Sequence, residues 1–170
     1  MKNISLYLTR LCVSTVLILL SGVTVATDLA AQQKTKPPAT ATVAFPGFRV
    51  KVALSDKAKK TLAQRKETIV VVASFTGTPK KGAEKYGNEI GEIGLGEANS
   101  EVAPGEDAVF GEIKLKQDLL AHLDDQGPQL LINVTSGSKS SKNNLLSCGI
   151  YEGALKPIPG GIINISCKLI

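Results

Sequence analysis

At 170 residues, with 43% hydrophobic and 21% charged side chains, the chain has enough apolar material for one ordinary domain and its core. Its 20 Lys and Arg against 15 Asp and Glu give a net charge of +5, but aromatic residues make up only 4%, Trp is absent, and Arg49 and Arg65 are the sole arginines after residue 31. Base stacking needs aromatic platforms and phosphate recognition favours arginine forks, so nucleic acid is not expected as a partner.

The N-terminus places Lys2 and Arg10 before an apolar run from Leu11 to Leu20, followed by small residues in "VTVA" and "DLAA". Basic, then apolar, then small is the order of a secretory signal peptide, and the apolar core is too short to span a bilayer. Residues 1–31 are therefore expected to be a signal peptide, cleaved after Ala26 or Ala31. That leaves no transmembrane span after processing and puts the protein in the periplasm or outside the cell. The stretch 32–47, "QQKTKPPATATVAFPG", is rich in Thr, Ala and Pro, lacks an apolar period and reads as a linker. Residues 48–170 then form a single domain.

"FRVKVALS" alternates, with Phe48, Val50, Val52 and Leu54 on one face and Arg49 and Lys51 on the other, which predicts a strand. Ser55 and Asp56 are good helix starters, and Ala58 and Leu62 stand four apart, so "DKAKKTLAQR" is expected as a short surface helix. "ETIVVVASFTGTP" (67–79) is β-branched and nearly continuously apolar, as a central strand would be. Further strands are expected at 89–96, 108–116, 129–136 and in two closing runs around Cys148 and Cys167. One helical turn is expected in "KQDLLAHLDDQGP". "EANSEVAPGED" reads as a loop, and "SGSKSSKNN" (136–144) as a polar, basic and flexible one. Regular β-α-β units are absent, so the expected fold is all-β and mainly antiparallel. An immunoglobulin-like or prealbumin-like sandwich of six to seven strands, with one or two short helices, is preferred to a small barrel. The glycines of "GNEIGEIGLGE" lack the order of a phosphate loop and mark a bulge or a close backbone approach.

Two cysteines remain once the leader is removed, Cys148 and Cys167. Leu146, Cys148 and Ile150 share one face of their run, as do Ile163, Ile165, Cys167 and Leu169, so both thiols sit on an apolar side. "EGALKPIPGG" between them turns the chain back. Zinc would need two further ligands, and the chain offers one His, His122, with no C-x-x-C or H-x-x-x-H spacing. A catalytic redox pair would also sit at C-x-x-C. In an oxidising compartment the two are expected to close a disulfide, either within one sheet or between two. No metal or cofactor is expected.

Charge is uneven along the chain: residues 32–85 hold twelve Lys and Arg against three Asp and Glu, residues 86–170 six against eleven. Solvated faces that cancel on folding would account for this, and so would a basic patch facing something anionic. The candidate binding surface is Lys57, Lys59, Lys60, Lys80, Lys81 and Lys85, with Lys139 and Lys142 of the 136–144 loop. No catalytic residue is assigned. His122, beside Asp124 and Asp125, has no nucleophile motif to serve, and no pair of carboxylates stands out for glycoside chemistry.

"VKVALSDKAKKTLAQRKETIVVVASFTG", taken with "NLLSC" and "ISCKLI", resembles a group of uncharacterised exported bacterial proteins that share a V-x-V-x-L-S-x-x-A opening and a C-terminal CKLI-type strand. The opening alone, as far as Gly77, is also similar to the periplasmic sandwich domain of a cytochrome c maturation subunit, which binds an unfolded partner chain. These likenesses imply an exported sandwich and supply no functional residues. The expected function is that of an exported, non-catalytic β-sandwich binding a partner protein or an envelope component. A secreted inhibitor or immunity protein blocking a hydrolase is the alternative, and a hydrolase using carboxylates a third.

Overall fold

The computed structural model describes residues 40–170; the signal peptide expected over 1–31 and the first part of the linker lie outside the described residues. Two-residue alternation builds the core. In β2 (Phe48–Leu54), β3 (Ile69–Gly77), β7 (Gln129–Ser136) and β10 (Ile162–Leu169) every second residue faces the core, buried except for the half-buried Leu54 and Leu169 at the ends of β2 and β10. Val50, Val52, Ile163 and Ile165 meet Ile69, Val71, Ile132 and Val134 in one apolar cluster. The remaining strands are β1 (Thr42–Phe45), β4 (Ile93–Val102), β5 (Ala108–Phe110), β6 (Ile113–Lys116), β8 (Leu146–Cys148) and β9 (Tyr151–Ala154), with helices α1 (Asp56–Arg65) and α2 (Gln117–Leu120). One sheet is ordered β5-β2-β10-β8 and the other β4-β3-β7-β9, while β1 and β6 form a two-stranded ribbon. The fold is an all-β, mainly antiparallel sandwich.

Ten strands stand where six or seven were expected, for reasons that lie in pairing. The run 108–116 divides at Gly111 and Glu112 because its partners change: Ala108–Phe110 pairs with β2, Ile113–Lys116 with β1. Strand β1 falls inside the stretch expected to be a linker. It has no apolar period because backbone pairing with β6, and not burial, holds it, and Val43 remains 37% exposed. Strand β4 begins at Ile93 rather than at 89 and runs on through "EANSEV", which was expected as loop. As an edge strand it tolerates polar positions. Its register against β3 shifts between Phe75 and Thr76, where Gly96 takes φ +144°, so the glycines mark a bulge. Strand β9 begins at Tyr151 and runs into the expected reversal, pairing with β7, so the chain crosses to the second sheet and back before β10. Strand β10 also pairs in parallel with β2, Ile162–Cys167 beside Arg49–Leu54.

Cys148 and Cys167 are disulfide-bonded within one sheet, directly opposite each other on β8 and β10 with Cα atoms 4.1 Å apart. The Gly149 N–H donates to the Ser166 carbonyl at 2.9 Å. That puts the cysteines in the adjacent narrow, non-hydrogen-bonded site, where facing side chains approach most closely. Cys167 is buried and Cys148 half-buried, whereas Ile150, expected on the same inner face, lies beyond β8 and is 67% exposed. Among the described residues no helix is long and apolar enough to cross a membrane.

The bond closes a loop with a sequence separation of 19 residues. Replacing both cysteines by Ala should therefore lower the unfolding free energy by about 3 kcal/mol, read from urea titration. An unchanged midpoint would show that the cross-link adds no stability.

Candidate functional site

Helix α1 begins where β2 ends. Ser55, its N-cap, accepts a hydrogen bond from the Ala58 N–H at 3.3 Å, with Asp56 in the first turn and Arg65 in the last, each complementing the helix dipole. Ala58 and Leu62 are fully buried, so the helix lies on the core by one narrow stripe. Lys57, Lys59, Lys60, Arg65 and the left-handed cap Lys66 (φ 51°) are exposed. Register places this helix in the molecule: Leu54 lies beside Cys167, Leu169 beside Leu146, and Ile69 beside Ser136. Helix α1, the 137–145 loop and the C-terminal end of β10 thus share one end of the sandwich.

The loop at that end is clamped, not flexible as its composition suggested. Glu67 is 2% exposed, and its carboxylate accepts hydrogen bonds from the Lys139 N–H at 2.9 Å, the Ser140 N–H at 2.8 Å and the Ser140 hydroxyl at 2.6 Å. Burial alone would raise the Glu67 pKa. The Ser140 hydroxyl and the backbone N–H groups of Lys139, Ser140 and Thr68 outweigh it and lower the value from 4.5 to about 2. The Gly137 N–H donates to the Thr68 carbonyl at 2.9 Å, and a Cβ on Gly137 would come within 1.9 Å of Thr68 Oγ1, so any larger residue would have to displace the Thr68 side chain. Lys139 Nζ stands 2.8 Å from Glu101 Oε1, which holds the carboxyl of Glu101 down and the ammonium of Lys139 up. At the far side of the loop, Asn144 Oδ1 accepts from the N–H groups of Ser136 (2.9 Å) and Leu146 (3.1 Å), while its Nδ2 donates to the Leu146 carbonyl at 2.7 Å.

The expected lysine surface therefore divides. Lys57, Lys59, Lys60, Lys139 and Lys142 are exposed at the α1 end. Lys80, Lys81 and Lys85 follow the other end of β3, nine residues or roughly 26 Å away along the strand. There Lys80 Nζ donates to the Ala121 carbonyl at 2.6 Å, and Lys85 Nζ sits 5.1 Å from the Tyr86 ring centroid. His122, following α2, stacks on Tyr86 with ring centroids 3.7 Å apart. The two segments that meet there, joined by the Lys80 N–H to the His122 carbonyl and the Asp124 N–H to the Thr78 carbonyl, also carry Glu84, Glu89, Asp118, Asp124 and Asp125, so that end is mixed in charge, although none of these acids is ion-paired to a lysine there among the described residues. The α1 end is basic: Asp56 is the one acid on the helix, Glu67 faces inward, and no cation of the helix is ion-paired among the described residues. Glu67 was not singled out from the sequence, because an acid ahead of an apolar run carries no signature of the loop it will bind.

Among the described residues, no group of three or more His, Cys, Asp or Glu is gathered to hold a metal. Compared with known protein families, curated proteins and solved structures, the chain matches none.

Folded Glu67 titrates at about 2 and the free side chain at 4.5, so ionisation favours the native state. The corresponding stabilisation, about 3 kcal/mol, is complete above about pH 5 and is lost as pH falls towards 2. Glu67→Gln should remove a similar amount near neutrality and flatten the acid limb in urea titrations across that range. Superimposable limbs for the two proteins would show that the clamp does not govern acid stability.

Proposed function

We propose that the protein is an exported, non-catalytic binding module, periplasmic or secreted, whose α1 end docks on an anionic component of the cell envelope. The observation that carries this reading is the set of exposed cations around α1, Lys57, Lys59, Lys60, Arg65 and Lys66, with no ion-pair partner among the described residues. Cations not neutralised by the protein's own acids remain available to a polyanion, and the attraction weakens with salt. The disulfide supports the compartment, as does the basic, apolar, small order of residues 1–31 in the sequence.

A second reading, an inhibitor or immunity protein that plugs a hydrolase, draws support from the Glu67 clamp. A loop already ordered before binding loses little further freedom when it docks. One stoichiometric hydrolase recovered from envelope extract with the wild type, and lost with a variant disrupted at 139–142, would favour it.

The test of the first reading is co-sedimentation of the purified protein with washed envelopes at low salt. Lys57→Glu/Lys59→Glu/Lys60→Glu places acids in the first turns of α1, where the helix dipole tolerates them, so the fold should hold. Wild type should pellet and be released as ionic strength passes about 0.3 M, while the triple variant should stay in the supernatant at all salts. Equal retention of the two proteins would refute the docking end.

A further inference from the structure

The two sheets turn opposite outer faces to solvent, and those faces differ in charge. On the β5-β2-β10-β8 sheet the outward charged residues are Arg49, Lys51 and Lys168, with no carboxylate at any outward strand position. Register sets Arg49 between two exposed apolar neighbours, Val109 (63%) and Ile162 (43%). A shallow groove of about 460 Å³ surrounds it, rimmed by Gly160 and Gly161. On the β4-β3-β7-β9 sheet the outward charges are Glu97, Glu101 and Glu152, and Lys139, which reaches in from its loop, bridges Glu101 alone. One register row crosses that whole sheet as Glu97, Ser74, Leu131 and Glu152, a carboxylate at each edge. Arg49, Lys51, Lys168, Glu97 and Glu152 have no ion-pair partner among the described residues.

We propose that the protein stacks on a second copy of itself, the basic sheet face of one molecule against the acidic sheet face of the next, with the Arg49 groove receiving a carboxylate. A face bearing cations between apolar neighbours fits a face bearing carboxylates around Leu131. An arginine fork also takes a carboxylate in two-point geometry that lysine lacks. The two faces lie on opposite sides of one molecule. A two-fold axis through either face would therefore set like charges against each other, whereas head-to-tail repetition sets unlike charges together and leaves each end open for the next copy. Few charges meet and all are exposed before contact, so the association is weak and salt-sensitive. It does not use the α1 end and is independent of the docking proposed above.

Light scattering of the purified protein tests this, with two charge-reversed variants. Arg49→Glu/Lys51→Glu makes both faces acidic and Glu97→Lys/Glu152→Lys makes both basic. All four side chains point outward, so the core is unaltered, and circular dichroism checks the fold. Arg49→Gln/Lys51→Gln serves should reversal disturb the sheet, and it should weaken association without reversing it. At low salt the average mass of the wild type should rise with concentration and return to that of a monomer when salt is added. Each reversed variant alone should remain monomeric, an equimolar mixture of the two should regain association, and the Lys57→Glu/Lys59→Glu/Lys60→Glu protein should associate as the wild type does. A wild type that is monomeric at every concentration in low salt would overturn the proposal. So would a folded reversed variant that self-associates, a mixture that stays monomeric, or loss of association in the α1 variant.

Discussion

The parallel pairing of β2 with β10 is the constraint on which the rest of the molecule hangs. It sets the first long strand beside the last, so Arg49–Leu54 and Ile162–Cys167 form one register separated by most of the domain's sequence. Because Leu54 ends beside Cys167, the chain leaves the sheet at that point, and the Ser55 N–H donates to the Cys167 carbonyl at 2.9 Å just before α1 begins. The helix is thereby committed to one end of the sandwich, where it meets the 137–145 loop. A contact of such long range closes late and at an entropic cost, since most of the chain must be in place first. The disulfide supplies a local counterpart on the other flank of β10, tying it to β8 in register.

Much of the sandwich was legible because two of its long strands alternate: the inner positions of β2 and β10 can be read residue by residue as Val50 or Ile165, and β3 could be recognised as a central strand from its apolar run though its inner face could not. The helix was legible as well, through Ser55 and the four-residue step from Ala58 to Leu62. Strands β1 and β9 were not, since each is only four residues long and neither shows an inner face in its sequence. The parallel pair could not be read either, because which ends of the chain become neighbours is a property of the whole topology. The position of the disulfide within a sheet followed from the same pairing. Composition misled at the 136–144 loop: Gly, Ser, Lys and Asn describe a mobile segment in isolation, and it is one buried acid, Glu67, that orders it.

The charge asymmetry between the two halves of the chain becomes an asymmetry between layers. The basic first half contributes β2 to one sheet and α1 to one end; the acidic second half contributes β9 to the other sheet, and β4 brings further carboxylates to its edge. Lys168 on β10 crosses that division and adds to the basic side. At the far end the lysines share their segments with acids, whereas on α1 Asp56 is the one acid.

Asn144 has a consequence for how the molecule ages. Its amide oxygen and nitrogen stand in for an absent neighbouring strand, covering both backbone groups of Leu146 at the margin of β8. Deamidation to Asp would preserve the shape and the acceptor while deleting the donor, baring the Leu146 carbonyl and setting a fixed negative charge against it. Discrimination between two nearly isosteric side chains therefore rests on one proton donor, and slow hydrolysis at this single position would unlatch the hem of the sheet.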